Sequence, residues 1–238
     1  MSTVLDFNRS NLSHQSLNTL INQLIDRAEP PHENYRQYLG ASAIGSECLR
    51  KMQYDWMCEP QFPARLYDIF GRGHFFEDVS RQHLLAAGFQ FAPPDQLEFI
   101  AAEGLFRGHA DGILIDGPQI STLRYPCVWE HKCLNAKGWK AIERGGLTGL
   151  YAPCAAQVAL YQAYLDITNP ALFTVLNADT CERLHFLVPF DAARAQATSD
   201  RAVTIIEATK AAELLPRITE DADDWRCRMC AHRQRCWR

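Results

Sequence analysis

The 238-residue sequence has no long run of apolar residues, and no basic stretch leads into an apolar one at its start. A membrane-spanning helix needs about 20 predominantly apolar residues in a row, and a secretory leader begins with basic residues ahead of an apolar segment. The sequence therefore predicts a soluble, cytoplasmic protein with no membrane partner. Internal repeats and low-complexity linkers are also lacking, which argues against solenoid architectures and favours a single folded domain.

An excess of positive charge is missing as well. The 24 lysines and arginines are outnumbered by 28 aspartates and glutamates, so the net charge is −4. The overall balance does not point to nucleic acid as a partner, but binding of a polyanion depends on the local field of one surface. The hydrophobic share of 47% suffices for a sizeable core.

Cysteine, by contrast, is plentiful. Nine cysteines make an odd count, and structural disulfides are rare in a reducing compartment. Five of the nine stand singly in apolar or mixed surroundings, where most are expected to be small buried hydrophobes: Cys58, Cys127, Cys133, Cys154 and Cys181. The other four have a spacing that suggests a different role.

Apolar periodicity predicts alternating helices and strands. The expected helices cover residues 16–28, 42–57 (with Ser42 as its N-cap), 69–87, 136–144, 155–166 and 192–215. The expected strands cover residues 97–101, 105–115, 125–132, 172–177 and 184–188. The pattern predicts one integrated α/β domain, divided into an N-terminal helical segment (1–60), a core (61–215) and a C-terminal cysteine-rich segment (216–238).

Two carboxylates and a lysine occur on neighbouring predicted strands. Asp111 falls inside an apolar stretch, and Glu130 and Lys132 lie at the end of the next strand. Side chains alternate along a strand, so Glu130 and Lys132 project from one face, where Asp111 can meet Glu130 across the sheet. Such carboxylates bind Mg²⁺ or Mn²⁺, and a nearby lysine can orient water or stabilise phosphate charge. The alternative is that Asp111 caps a bulge and the other two form a solvated edge.

The pattern Asp111 … Glu130-x-Lys132 resembles the signature of PD-(D/E)XK nucleases, in the RecB-like exonuclease branch. Residues 71–77 resemble the first motif of that branch, and Gln157-x-x-x-Tyr161 resembles its QxxxY motif, whose spacing puts both side chains on one helix face. The resemblance implies a restriction-endonuclease-like core, in which helices flank a mixed central sheet. Ala110 stands where the family signature has proline.

The resemblance also implies roles for the site residues. Asp111, Glu130, His74 and the main-chain carbonyl of His131 are expected to hold one or two Mg²⁺ or Mn²⁺ ions, with Glu77 a second ligand from the first motif or an outer partner. Lys132 is expected to position the attacking water. Gln157 and Tyr161 are expected to contact DNA and support the active site.

Three cysteines form the pattern C-x₂-C-x₅-C in the arginine-rich C-terminal segment: Cys227, Cys230 and Cys236. With Cys48 as a fourth ligand, they resemble the [4Fe–4S] site of CRISPR-associated RecB-like exonucleases and of the AddB nuclease domain. Four thiolates also suit a structural Zn²⁺, which remains the alternative. Either site would form a cap that joins the N- and C-terminal segments.

The same segments carry the basic residues predicted to bind DNA phosphates. They are Arg50, Lys51, Arg226, Arg228, Arg233, Arg235 and Arg238. Trp225 and Trp237 either stack on unpaired bases or pack against the metal centre.

The family resemblance implies a metal-dependent DNA exonuclease that acts on single-stranded DNA or duplex ends. Members of the family serve phage recombination, DNA end processing and CRISPR adaptation, so recombination or CRISPR adaptation proteins are expected partners. The sequence lacks G-x-x-x-x-G-K-[ST], so any unwinding would come from a partner. The alternative function is a catalytically idle DNA-binding or assembly module built on the same fold and cluster.

Overall fold

The computed structural model describes residues 10–28, 37–58, 64–146 and 152–238. The helices are α1 (Ser10–Arg27), α2 (Leu49–Met57), α3 (Ala64–Ala86), α4 (Ala136–Gly145), α5 (Ala152–Tyr164), α6 (Ala192–Lys210), α7 (Trp225–Arg228) and α8 (Arg233–Cys236). The strands are β1 (Leu39–Gly40), β2 (Gln90–Phe91), β3 (Glu98–Ala101), β4 (Phe106–His109), β5 (Gly112–Asp116), β6 (Cys127–Leu134), β7 (Ala171–Asn177) and β8 (Arg183–Val188).

The strands form two mixed sheets. The larger has the order β2-β5-β6-β7-β8, in which only β6 and β7 run parallel. A parallel pair needs a crossover connection, and here α4 and α5 lie between the two strands in the chain. The smaller sheet has the order β1-β4-β3. The predicted mixed α/β architecture is therefore confirmed.

Strand β6 separates two apolar clusters because its side chains alternate between the faces of the sheet. Val128 belongs to the larger cluster, together with Val158 and Tyr161 of α5. Cys127 and Trp129 belong to the smaller one, against which Leu84 of α3 packs. Glu130 follows Val128 by two residues and therefore faces α5, whereas His131 follows Trp129 and faces α3.

The single strand predicted over residues 105–115 is wrong, because the chain forms two strands that belong to different sheets. Strand β4 pairs with β3 in the smaller sheet, and β5 pairs with β6 in the larger one. The backbone N–H of Ala110 still donates to Leu97 O at 2.8 Å, after which the chain leaves the smaller sheet. Asp111 therefore lies in a break between two strands.

The predicted start of the second helix is also wrong. Helix α2 begins at Leu49, and Cys48 rather than Ser42 occupies its N-cap position. The preceding chain makes turns that pass close to α5, where a Cβ on Gly45 would lie 2.2 Å from Pro153 Cα. Four other helix ends shift by three residues or more: α1 begins at residue 10, α3 at residue 64 and α5 at residue 152, and α6 ends at residue 210.

Buried Gln53 of α2 joins the N-terminal segment to the chain that follows α6. Its Oε1 accepts the backbone N–H of Leu215 at 2.7 Å, and its Nε2 donates to Glu213 O at 2.8 Å. Arg50 adds a bond from Nε to Leu215 O at 2.5 Å. Protein contacts alone therefore hold these two segments together. The predicted boundary at residues 60–61 lies outside the described residues.

No helix in the described part of the chain has both the length and the apolar character that a membrane crossing requires.

Replacement of Gln53 by Ala should lower the free energy of unfolding by about 1–3 kcal/mol, because it removes two hydrogen bonds between the segments. Urea unfolding followed by circular dichroism measures this, with Gln82→Ala on the exposed face of α3 as the matched control. A difference between the two variants of less than about 0.5 kcal/mol would show that the hydrogen bonds of Gln53 contribute little to stability.

Candidate active site

The pair Glu130 and Lys132 lies on one face of β6, as strand alternation predicts. Lys132 Nζ donates to Glu130 Oε1. Glu130 is 0% exposed, and its second oxygen, Oε2, has no hydrogen-bond partner among the described residues. A buried carboxylate oxygen without a partner is costly. This atom therefore marks a position that a cation would stabilise.

Asp111 faces the same strand from the break between β4 and β5. Its Oδ2 accepts the backbone N–H of His131 at 2.7 Å. The pairing of Gly112 with Trp129 sets this register, since it places Asp111 beside the middle of β6. The predicted meeting of Asp111 with the Glu130 strand therefore occurs, although Asp111 is not itself a strand residue.

Burial and mutual repulsion raise the pKa values of the acids of this site. Burial raises the pKa of Glu130 to about 8, and the nearby charge of Asp111 adds to the shift. Burial also raises the pKa of Asp111, against the opposing effects of Lys132 and the His131 N–H. The pKa of Glu77 rises to about 7 through burial and then through Asp111. Lys132 acts on all three acids and opposes these shifts, so added positive charge would favour their ionised forms further.

Lys132 remains a cation in this environment. Burial alone would lower its pKa, but the negative charges of Glu130 and Asp111 outweigh burial and raise the pKa overall. A lysine held in its protonated form donates hydrogen bonds and stabilises negative charge. It is not suited to take a proton from water in this arrangement.

Helix α3 contributes Glu77 to the group of acids. The side chain of Glu77 is 29% exposed, whereas that of His74 is 72% exposed, and His74 Nδ1 lies 3.9 Å from Glu77 Oε2. The sequence favoured His74 as the ligand from this motif. The structure buries Glu77 more than His74, and the charge of Asp111 adds to the rise in the pKa of Glu77.

As arranged, the described residues contain no group of three or more His, Cys, Asp or Glu side chains that could hold a metal ion. Protein donors occupy the acids instead: Lys132 bonds Glu130, and the His131 N–H bonds Asp111. The chemistry of the donor set still fits a hard divalent cation, as does the unpartnered oxygen of Glu130.

Gln157 and Tyr161 lie together on α5, behind the acids. Gln157 Nε2 donates to Tyr161 Oη at 2.9 Å, and both side chains are buried. Burial and the charge of Glu130 raise the pKa of Tyr161. A Cβ on Gly108 would lie 2.7 Å from a ring carbon of Tyr161, so this close approach requires glycine. Their burial fits the predicted supporting role.

A polar chain on the other face of β6 was not anticipated from the sequence. The ring Nε2 of His131 lies 3.1 Å from Ser80 Oγ, and Arg183 Nε donates to the same oxygen at 3.3 Å. Burial lowers the pKa of His131 to about 4, so the ring is neutral near pH 7. The available signals were alternation along β6, which turns His131 away from Glu130, and the three-residue spacing of Ser80 from Glu77 on α3.

The four predicted cluster cysteines line one cavity of about 410 Å³ between the start of α2 and the C-terminal helices: Cys48, Cys227, Cys230 and Cys236. Burial raises the pKa of Cys230, and a hydrogen bond from the backbone N–H of His232 opposes this rise. The ring Nε2 of His232 lies 2.7 Å from Asp55 Oδ1, so that nitrogen is already occupied.

The five remaining cysteines differ in burial. Cys127 and Cys154 are buried, Cys58 and Cys133 are partly buried, and Cys181 is exposed. The expected small buried hydrophobe therefore fails for Cys181, which lies in the turn between β7 and β8, where no core covers it.

Acidic side chains accompany three of the seven predicted DNA-binding residues: Lys51, Arg226 and Arg233. Arg226 bonds Asp224 at 2.9 Å and Glu47 at 2.8 Å, and Arg233 bonds Asp223 at 2.9 Å. These ion pairs reduce the positive charge of the expected patch.

Other residues of the patch take different positions. Lys51 bonds Asp55 at 2.5 Å, and the Arg235 guanidinium lies over the Tyr54 ring at 4.9 Å. Arg228 is exposed. Trp225 is 67% exposed, whereas Trp237 is partly buried beneath Arg217.

No family model and no curated protein matches the sequence. Among solved structures, the alkaline exonuclease LHK-Exo from Laribacter hongkongensis has a TM-score of 0.50 at 12% identity, over 75% of this chain and 90% of that one. Its complex with dAMP has a TM-score of 0.47 at 13% identity, over 74% and 89%. A protein designated SSO0001 has a TM-score of 0.49 at 14% identity, over 95% and 96%. The likeness to the alkaline exonuclease shows a similar fold.

Replacement of Glu130 by Gln, measured in the presence of a chelator, should stabilise the protein as pH rises. The pKa of Glu130 is about 8 in the folded protein and near its ordinary value of 4.5 when unfolded. The wild type therefore loses stability between about pH 5 and pH 8 as the unfolded chain releases this proton first. The variant lacks this loss, so its advantage in free energy of unfolding should grow by about 1–3 kcal/mol across that range.

Urea unfolding at pH 5 and pH 8 measures this difference in the free energy of unfolding. The matched control is Glu143→Gln, at an exposed position of α4. An advantage of Glu130→Gln that stays constant with pH would contradict the assignment of a buried, repelled carboxylate.

Proposed function

We propose that the protein is a metal-dependent DNA exonuclease that hydrolyses phosphodiester bonds. The observation that carries the proposal is the buried group of Asp111, Glu130 and Lys132, with an oxygen of Glu130 left without a partner. A fold similar to that of an alkaline exonuclease supports the same activity.

The carboxylates of Asp111 and Glu130 would hold Mg²⁺ or Mn²⁺, and Glu77 fits the site better than His74 as a third ligand. The main-chain carbonyl of His131 stays a predicted ligand. A bound divalent ion supplies Lewis acidity and neutralises charge on the phosphate.

Other groups of the chain would orient the acids, orient the water and exclude solvent. The backbone N–H of His131 fixes the orientation of Asp111 through its bond to Oδ2. Lys132, kept protonated by the acids, donates from Nζ to orient the attacking water or to stabilise charge on the scissile phosphate. Gln157 and Tyr161 cover Glu130 from α5 and keep water from its buried face.

The alternative is a catalytically idle DNA-binding or assembly module. The observation in its favour is that the described acids do not converge as a ready metal site. Against it, Glu130, Asp111 and Glu77 repel one another in a buried place, and such groups destabilise a protein unless a cation compensates them.

Replacement of Lys132 by Ala should reduce cleavage by at least about 100-fold, because it removes the cation that bonds the buried carboxylate of Glu130. Labelled linear, circular and single-stranded DNA with Mn²⁺ measure activity, and an exonuclease leaves the circular duplex intact. The matched control is Lys137→Ala on α4, an exposed lysine. Wild-type rates with Lys132→Ala would exclude the proposed site, and an inactive wild type that still binds DNA would favour the idle module.

We also propose that Cys48, Cys227, Cys230 and Cys236 hold a [4Fe–4S] cluster. The four thiols line one cavity of about 410 Å³, which has room for a group larger than a single Zn²⁺ ion.

Two unpartnered donors support a cluster with acceptor atoms of its own. Trp237 is one of the residues that line the cavity, and Arg201 lies beside the Cys48 segment, where its guanidinium donates to Ser46 O. The atoms in question are Trp237 Nε1 and Arg201 Nε. Both atoms are buried and make no hydrogen bond within the described residues. Cluster sulfurs accept such N–H groups, whereas Zn²⁺ brings no acceptor beyond its thiolates.

Replacement of Cys48 by Ser should remove iron and the broad absorbance at about 400 nm from anaerobically purified protein. Cys181→Ser, an exposed thiol far from the cavity in the chain, should leave both unchanged. Stoichiometric zinc without iron or labile sulfide in the wild type would show a zinc site instead.

We further propose single-stranded DNA or duplex ends as the substrate, with a role in phage recombination, DNA end processing or CRISPR adaptation and with the proteins of those systems as partners. Exposed Trp225 and Arg228, next to the cysteine cavity, suit contact with unpaired bases and phosphates.

A further inference from the structure

A second, smaller cavity of about 100 Å³ lies on the α3 face of the larger sheet. Its lining residues come from α3 and from strands β7 and β8: Ser80, His83, Leu84, Thr174, Arg183 and His185. Five of the six carry groups able to donate a hydrogen bond, and none of the six is acidic. A lining of this kind matches an anion.

Arg183 supplies the positive charge of this cavity. Its Nε donates to Ser80 Oγ at 3.3 Å, and its Nη1 lies 3.5 Å from Cys181 O, which is a long contact. No carboxylate among the described residues forms an ion pair with it. The guanidinium therefore keeps terminal N–H groups and its charge for a ligand, and arginine suits phosphate oxygens.

A directed hydrogen-bond chain adds a second donor. Trp129 Nε1 can only donate, and it bonds Thr174 Oγ1 at 2.9 Å. The hydroxyl of Thr174 can then donate to His185 Nδ1, at 3.0 Å. With that direction, the ring proton of a neutral His185 lies on Nε2 and is available as a donor.

The cavity is also connected to the acids of the proposed active site. Ser80 Oγ lies 3.1 Å from His131 Nε2, and the backbone N–H of the same histidine donates to Asp111. Along α3, Ser80 and His83 follow Glu77 by three and six residues, about 4.5 and 9 Å at 1.5 Å per residue. A ligand in the cavity would therefore lie within one or two helical turns of Glu77.

We propose that this cavity is a phosphate-binding subsite that holds one phosphate group of the DNA strand. A volume of about 100 Å³ is far below the roughly 300–1,000 Å³ of sites for larger ligands, so a single oxyanion fits and a nucleoside does not. Assignment of the phosphate to DNA rests on the proposed nuclease function, whereas binding of phosphate itself does not. Held there, the group would position the strand relative to the acids.

Inorganic phosphate is the first probe, titrated at constant ionic strength into protein carrying ¹⁵N-labelled histidine, with acetate as the comparison anion. The resonances of His185 and His83 should shift with phosphate, and Arg183→Gln should weaken binding by at least about tenfold. Arg194→Gln, an exposed arginine on α6, is the matched control. Since Arg183 also bonds Ser80, His185→Phe provides a second variant that removes a donor while keeping a ring.

Phosphate that causes no shift in the wild type, or that binds both variants as tightly as the control, would overturn the subsite. Fluorescence anisotropy with short single-stranded DNA in a chelator then tests the source of the phosphate, and Arg183→Gln should weaken binding there by a similar factor. Phosphate binding that depends on Arg183, together with DNA binding that does not, would overturn the assignment to DNA while leaving an anion site. If the wild type binds phosphate through Arg183 but does not cleave DNA, the result counts against the nuclease proposal and not against the phosphate subsite.

Discussion

Glu130 sits without solvent exposure in the middle of a sheet, and much of the architecture around it serves to hold a charge in that place. Parallel strand β7 covers one side of β6 with seven buried residues, and α5 closes the face to which Glu130 points. Lys132 compensates one carboxylate oxygen and leaves the other bare. Burial of an acid in this way lowers the stability of the fold. A cation bound beside Glu130 would compensate this loss.

The two faces of β6 take different parts of that chemistry. The face toward α5 carries Glu130 and Lys132, and the face toward α3 carries Trp129 and His131. His131 links them, because its backbone N–H holds Asp111 while its ring contacts Ser80, which lines the smaller cavity. Strand β6, which faces α5 on one side and α3 on the other, therefore connects the proposed cleavage site with the proposed phosphate subsite.

The terminal segments show a different balance of forces. Gln53 and Arg50 already join α2 to the chain after α6 through backbone hydrogen bonds, so the cysteine cavity need not hold the segments together alone. The acids Asp223, Asp224 and Glu47 pair with Arg226 and Arg233 there and reduce the positive charge of the segment. Contact with DNA at this end would depend on exposed Trp225 and Arg228 as much as on net charge.

The sequence by itself determined the features that repeat over a few residues: the shared face of Glu130 and Lys132, the contact of Gln157 with Tyr161, and the mixed α/β pattern. Such relations follow from the two-residue period of a strand and the 3.6-residue period of a helix. Only the tertiary structure decided the break at Asp111, the deeper burial of Glu77 than of His74, and the contact of Arg183 with Ser80, which lie 103 residues apart. It also brought Arg226 to Glu47 across 179 residues. These contacts depend on which elements pack together, and no local period in the chain encodes that choice.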